Sequence, residues 1–320
     1  MRTIGVLTSG GDAPGMNAAI RSVVRTGIEN DMNVIGIKDG YEGLIGGDVY
    51  EMNLRSVSNI IQRGGTILRS ARSDEFKTQR GQRKAAEMCR RLGIDGVIVI
   101  GGDGSFKGAR ELSALGIQCV GIPGTIDNDI ACSDETIGFD TAMNTVMQMV
   151  DRVRDTTESH SRCSVIEVMG RSAGYIALYA GLAVGATAIL IPELEFNFKI
   201  DVIERMRRTI ENGKQHFVII VAEGIGDSNS MAKQIEDKTG VETRTTILGH
   251  VQRGGSPTVR DRVLASQMGN YAVRLMKSSK KSCIIAAQCG QIIDLEIEQA
   301  LALEKSIDIE TYRLAHEISI

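Results

Sequence analysis

Asp95-Gly96-Val97-Ile98-Val99-Ile100-Gly101-Gly102-Asp103-Gly104-Ser105 reads as a buried strand running straight into a glycine-rich loop and then a helix. A β-branched apolar run closed by glycines has the pattern of a central strand in a parallel sheet. Glycines at that point let backbone N–H groups approach a phosphate, and a helix from about Ser105 offers the anion its positive end. Asp103 then stands where a carboxylate can hold a cation bridging phosphates. Working outward, the arrangement recurs on both sides. Ile4-Gly5-Val6-Leu7 runs into Thr8-Ser9-Gly10-Gly11-Asp12-Ala13-Pro14-Gly15, and the run from Ile117 to Ile122 enters Pro123-Gly124-Thr125-Ile126-Asp127-Asn128-Asp129. In open α/β sheets, ligands bind at the carboxyl ends of strands. One Gly-Asp loop is ordinary turn chemistry. Two of them, with a third loop holding Asp127 and Asp129 one residue apart, describe a site that handles a proton or a metal.

The rest of the chain continues the pattern. Strand-like runs recur at Val34–Ile37, Val165–Val168, Ala188–Ile191, Phe217–Ala222, Thr245–Leu248 and Ile284–Ala287, with helical patterns such as Thr78–Arg91, Thr141–Arg154, Val202–Asn212 and Arg260–Met276 between most of them. Alternating strands and helices argue for an α/β fold with mainly parallel sheets and helices on both faces. A length of 320 residues suggests two domains, at a prior of roughly 150 residues each. No Pro/Ser-rich linker separates them, and four prolines leave little room for one. The two domains are therefore interwoven or tightly joined.

Composition narrows the function. A net charge of −3 gives no general pull towards nucleic acid or anionic membrane, so anion binding has to come from local clusters. With no Trp and few aromatics, base-stacking platforms are not expected. The cysteines at 89, 119, 132, 163, 283 and 289 form no CxxC pair, and no His lies at zinc-finger spacing. Cys119 and Cys283 sit in apolar runs as small hydrophobes, a usage suited to a reducing cytoplasm. The N-terminal apolar run breaks at Gly10-Gly11-Asp12 and does not read as a signal peptide. From Ala173 to Pro192 there is no charged residue, but Gly181, Gly185 and Thr187 split the run into a helix, a turn and a strand rather than a membrane span.

The three loops, together with Val168-Met169-Gly170-Arg171 and Leu248-Gly249-His250-Val251-Gln252-Arg253-Gly254-Gly255, resemble the bacterial ATP-dependent 6-phosphofructokinase family, in order from the first strand to the C-terminus. The resemblance implies two interwoven Rossmann-like three-layer domains. Residues 1–138 with 251–301 would bind nucleotide, and residues 139–250 with 302–320 would bind the sugar phosphate, with crossings near Phe139, His250 and Leu301. It implies transfer of the γ-phosphoryl of ATP to the C1 hydroxyl of fructose 6-phosphate, with Mg²⁺ as cofactor. Phosphoryl transfer asks the protein mainly for positioning and charge neutralisation. By resemblance, Gly11, Tyr41, Arg72, Ser73, Gly102, Asp103, Gly104 and Ser105 hold the nucleotide, and Asp103 holds the metal. Asp127 is the general base, supported by Thr125 and Asp129, while Arg72 and Arg171 meet the transferred phosphate. The sugar phosphate would touch Thr125, Ile126, Asp127, Met169, Gly170, Arg171, Glu223, His250, Val251, Gln252 and Arg253, with Arg162 and Arg244 supplied by a neighbouring subunit of a homotetramer. A forked guanidinium suits those phosphate contacts.

The closest rival is pyrophosphate as donor. That branch of the family typically carries Asp at the position of Gly104 and Lys at that of Gly124, so both residues here point to ATP. A non-catalytic regulatory subunit of the same fold would have lost Asp103, Asp127 or Arg171, and all three are present. Arg21 and Arg25 lie four apart on a helix opening near Gly15 and share a face. With Arg55, Arg154, Gly185, Thr187, Asn212 and Lys214 they match the family site for ADP or phosphoenolpyruvate. Thr187 and Asn212 depart from the Glu and Arg usual there, so a weakened ADP response is expected.

Overall fold

The computed structural model of the chain describes residues 2–278 and 281–319. In chain order it contains β1 (Thr3–Ser9), α1 (Met16–Glu29), β2 (Asn33–Ile37), α2 (Gly40–Gly46), β3 (Val49–Met52), α3 (Gln79–Arg91), β4 (Gly96–Gly101), α4 (Asp103–Ala114) and β5 (Gln118–Pro123). These are followed by α5 (Phe139–Ser159), β6 (Cys163–Val168), α6 (Tyr175–Ala183), β7 (Ala188–Leu190), α7 (Arg205–Glu211), β8 (Phe217–Ala222), α8 (Ser228–Thr239) and β9 (Thr243–Ile247). The last elements are α9 (Val259–Ser278), β10 (Cys283–Gln288), β11 (Gln291–Glu296), α10 (Ile297–Leu301) and α11 (Ile309–Glu317). Two compact units emerge, one of Met1–Thr141 with Arg253–Lys305, the other of Ala142–Gln252 with Ser306–Ile320.

Unit 1 is built on a seven-stranded sheet of order β11-β10-β5-β4-β1-β2-β3. β4 and β5, which carry no charged side chain, are buried along their whole length in its interior. β3 and β11 add antiparallel edges to β2 and β10, and neither was among the expected strands. Both alternate apolar with acidic or polar residues and are only half-buried, so they lack the continuous apolar run that marks a central strand. Leu7, Val97, Val99, Phe106, Leu112 and Cys119 belong to the core on one side of this sheet. Burial pushes the Cys119 thiol well above its ordinary range, and all six cysteines are free.

Unit 2 carries a four-stranded parallel sheet of order β7-β8-β6-β9. Its core packs Val165, Leu190, Phe217 and Ile219 with Met206 and Ile235. The uncharged stretch after Ala173 is α6, a turn and β7, and among the described residues no helix is long and apolar enough to cross a membrane. The expected helix at Val202–Asn212 is longer and of two kinds: a π-helical segment, Phe198–Glu204, leads into α7. The Asn197 side chain accepts from the N–H groups of Lys199 and Ile200, which starts the helix before the residues that the apolar period marks. Likewise β9 starts at Thr243, two residues ahead of its apolar run, because β6 pairs Cys163 with it.

Unit 1 also contains a buried polar lock. Asp261, near the start of α9, accepts from the N–H groups of Gly138 and Thr141, at 2.8 Å each, and from the Thr141 hydroxyl. These bonds fix the chain entering α5. Burial pushes the Asp261 carboxyl up to about 6 in spite of its donors. Asp261→Ala leaves two buried N–H groups unmatched, and a loss of at least about 1–3 kcal/mol is expected in urea unfolding. The sign of the pH effect follows from the raised value. The folded protein binds this proton more tightly than the unfolded chain, so the stabilisation is full below ~3.9 and is lost as pH rises through the folded value. The penalty of alanine is therefore larger in acid than at neutrality.

Candidate active site

In unit 1, backbone pairing sets the site. β1 pairs with β4 so that Ser9 faces Gly101, and β4 pairs with β5 so that Gly101 faces Pro123. The three loops therefore leave the sheet side by side. β1 is also the strand at which the chain order reverses, with β2 on one side and β4 on the other, the place where open α/β sheets bind ligands. Gly124 N–H donates to Gly101 O at 2.9 Å, extending the link beyond the strand ends.

The first loop is bound by Ser70, whose hydroxyl donates to Gly10 O at 2.6 Å. Arg253 donates to Asp12 O at 3.2 Å, and its guanidinium lies against Gly11 where a Cβ would otherwise sit. In the second loop α4 begins at Asp103, earlier than the position expected near Ser105, so the carboxylate belongs to the helix's first turn. Asp103 is half-exposed and pairs with Lys107 at 2.7 Å. Ser105 is buried, and its carbonyl accepts from the Tyr41 hydroxyl at 2.6 Å. Tyr41 itself stacks on Phe76 and is almost fully buried. Ser73 donates to Glu42 at 2.5 Å, and Arg72 is exposed.

The third loop holds the buried carboxylate. Asp127 is 4% exposed, and its N–H donates to the Thr125 hydroxyl at 3.2 Å. Thr136 donates to Thr125 O at 2.7 Å, and Ile126 is fully buried. Asn128 has a φ of 51°, a left-handed conformation in a residue other than glycine. Its side chain donates to Asp134 O, and Lys305 donates to its carbonyl.

Among the described residues no cluster of three His, Cys, Asp or Glu side chains forms a metal cage. One accessible carboxylate at a helix N-terminus instead suits Mg²⁺ carried by nucleotide phosphates, since that ion keeps its waters and takes one or two carboxylates beside the phosphates.

In unit 2, pairing of Val168 with Ala222 sets Met169–Arg171 beside Glu223, and pairing of Glu167 with Ile247 brings up residues 248–252 on the other side. Glu223 Oε1 accepts from the N–H groups of Gly170 and Arg171, at 3.2 and 2.6 Å. Gly170 has a φ of 140°, a conformation that only glycine adopts freely, and Arg171 follows at 55°. Gln252 is fully buried as a brace, accepting from Met169 N–H at 3.1 Å and donating to Gly249 O at 3.0 Å. Its neighbours His250 and Val251 are exposed.

Arg162 and Arg244 lie elsewhere. They sit at the amino end of the β6–β9 pair, where Glu242 accepts from both, from Arg162 at 2.7 Å and from Arg244 at 2.6 Å. The bond from Arg162, then that from Arg244, holds the Glu242 carboxyl below its ordinary range. Arg171 follows the opposite end of β6, a strand of six residues, about 20 Å away at ~3.3 Å per residue. One unit 2 thus does not bring its own Arg162 and Arg244 to its own Arg171.

Of the residues matched to an effector site, Arg21 and Arg25 lie together on α1, and Arg55 is an exposed residue of unit 1. In unit 2, Lys214 donates to the Thr187 hydroxyl at 3.3 Å. Arg154 donates to Val184 O, next to Gly185, and Asn212 caps α7. Burial lowers the Lys214 ammonium, with Arg154 and Arg205 adding repulsion. Arg205, Glu242 and Lys305 were not singled out from the sequence, where each looks like one charge among many.

Glycine-rich loops at aligned strand ends of a largely parallel sheet are the architecture of phosphate-handling α/β proteins. The chain belongs to the phosphofructokinase family, whose model matches residues 3–276. An ATP-dependent 6-phosphofructokinase of Clostridium tetani (strain Massachusetts / E88) is 56% identical over 323 residues, covering 100% of both chains. One of Clostridium botulinum (strain Loch Maree / Type A3) is 57% identical over 319 residues, again with 100% of each covered. Among solved structures, phosphofructokinase from Saccharomyces cerevisiae superposes with a TM-score of 0.90 at 36% identity, and the match spans 100% of this chain but 48% of the yeast one.

Proposed function

We propose that this chain transfers the γ-phosphoryl group of ATP to the C1 hydroxyl of fructose 6-phosphate, giving fructose 1,6-bisphosphate and ADP. The observation that carries the reading is the alignment of Ser9, Gly101 and Pro123, which sets two Gly-Gly-Asp loops beside a buried Asp127. Unit 1 is the nucleotide-binding domain, and unit 2 is the sugar-phosphate-binding domain. Gly11, Gly102, Gly104 and Ser105 receive the nucleotide phosphates, with Tyr41, Arg72 and Ser73 alongside. Asp127 takes the proton of the C1 hydroxyl as that oxygen bonds to the γ-phosphorus and the bond to the β-phosphate oxygen breaks. Thr125 and Asp129 support the base, and Arg72 and Arg171 balance charge on the phosphoryl group. Asp103 would hold Mg²⁺, an ion that would supply charge neutralisation to the nucleotide phosphates when bound. Glu223, fixed through one oxygen by two amides, takes a sugar hydroxyl, with Met169, His250 and Arg253 completing the contacts. The activity is a step of glycolysis, and we place the enzyme in the cytoplasm.

The donor follows from space. No atom lies within 4 Å of a Cβ built on Gly104, which leaves room for the α-phosphate of ATP, whereas at Gly124 a Cβ meets Ile100 at 3.1 Å and Met16 at 3.3 Å. A lysine at 124, as in pyrophosphate users, would have to grow out of an apolar contact. A coupled assay on fructose 6-phosphate should show turnover with ATP and little with pyrophosphate. Asp127→Asn should lower kcat by ~10² or more while leaving sugar binding intact. Efficient use of pyrophosphate sinks the donor assignment, and near-normal turnover of the variant sinks the base.

The separation of Arg162 and Arg244 from Arg171 along β6 supports a homotetramer in which a neighbour supplies the two arginines to the 6-phosphate. Mixing inactive Arg162→Ala with inactive Asp127→Ala protein should then recover activity, because one interface of the mixed assembly contains an intact site. Subunit exchange without recovery contradicts shared sites.

The cluster of Arg154, Lys214 and Thr187 supports an anionic effector, ADP or phosphoenolpyruvate. With Thr187 offering a hydroxyl in place of a carboxylate, metal-bound ADP loses more than phosphoenolpyruvate. Sugar-saturation curves should shift clearly with phosphoenolpyruvate and weakly with ADP; strong activation by micromolar ADP would show the opposite.

A further inference from the structure

Lys305 is the last residue of unit 1 before the chain passes into unit 2. Its ammonium donates to Asn128 O and to Ser133 O, both at 2.7 Å, and so closes the loop that carries Asp127. The loop is tied down on its other side as well. Asp134 N–H donates to Ala287 O, Ala287 N–H donates to the Ser133 hydroxyl, and Cys289 N–H donates to the Asp134 carboxylate. Asn128, directly after Asp127, is held at a positive φ that its own side chain favours only weakly. Such a conformation persists where surrounding bonds over-determine it, typically in a functional segment.

We propose that Lys305 is a positioning residue for proton transfer, clamping the carbonyls of Asn128 and Ser133 so that the Asp127 carboxylate keeps the angle at which it takes the hydroxyl proton. The proposal rests on Asp127 as the base. A lysine suits the task because a compact ammonium on a flexible stem offers three donors to carbonyls lying in different directions. Holding it there is costly. Burial pushes the ammonium down to about 8, offset in part by Asp134, Asp129 and Cys132. Ordinary loop closure needs no half-buried cation.

The test compares Lys305→Met, Lys305→Gln, Asp127→Asn and the Asp127→Asn/Lys305→Met pair in the full-length protein, with folded fraction followed by circular dichroism. A misplaced reacting group costs up to ~10²-fold. Lys305→Met should therefore lower kcat by about 10- to 100-fold with both KM values within about twofold of the parent. Lys305→Gln, which keeps a donor, should fall between the two. On the Asp127→Asn background, Lys305→Met should cost nothing further, since there is no base left to aim. Unchanged turnover in Lys305→Met overturns the clamp, as does an equal loss on both backgrounds or a loss that only follows unfolding. Near-normal turnover of Asp127→Asn alone overturns the base itself, and the clamp with it.

Discussion

The register of three parallel strands governs this molecule. Ser9, Gly101 and Pro123 are neighbours because β1, β4 and β5 pair residue for residue, and each is the last residue of its strand. A parallel sheet sends all its carboxyl ends to one edge, so chemistry delivered there by one loop meets the chemistry of the next. A slip of one residue in either pairing would turn every side chain of a strand to the other face and offset the loops. The apolar faces of β4 and β5, buried throughout, oppose that slip.

This explains how a chain of net charge −3 can handle phosphate-rich substrates. Backbone N–H groups and helix N-termini attract anions without carrying formal charge, so such chemistry requires no net positive charge of the chain. At one end of β6 two arginines come together, and there a carboxylate, Glu242, lies between Arg162 and Arg244. Exposed pairs of that kind add little stability. What Glu242 does physically is hold both guanidinium groups at one end of β6 while offsetting one of their two positive charges.

Much of the fold was legible because parallel strands announce themselves. Runs such as Val97–Ile100 and Phe217–Ala222 have apolar residues at successive positions, and little besides a sheet covered on both faces can bury them. β3 and β11 were not legible for the converse reason. Each covers one side only, each mixes Glu or Asp into its run, and each exists because a neighbour offers an unpaired edge. The π-helical start of the segment at Phe198 was hidden too, since a side chain, Asn197, and not an apolar period sets where it begins.

The candidate site divides along the same line. Residue types at loops after apolar strands, Gly-Gly-Asp twice and the pair Asp127 and Asp129, are written locally, because a loop's backbone freedom and its carboxylates belong to a few consecutive residues. Their burial and alignment are not. Gln252 reads as a surface ligand in its motif but is a buried brace. Lys305 lies 177 positions from the carbonyl of Asn128 that it holds. The sequence by itself determined the chemistry available at each strand end. Tertiary structure alone decided which ends are neighbours and which distant charge clamps them, because hydrogen bonds act over about 3 Å in space with no regard to separation along the chain.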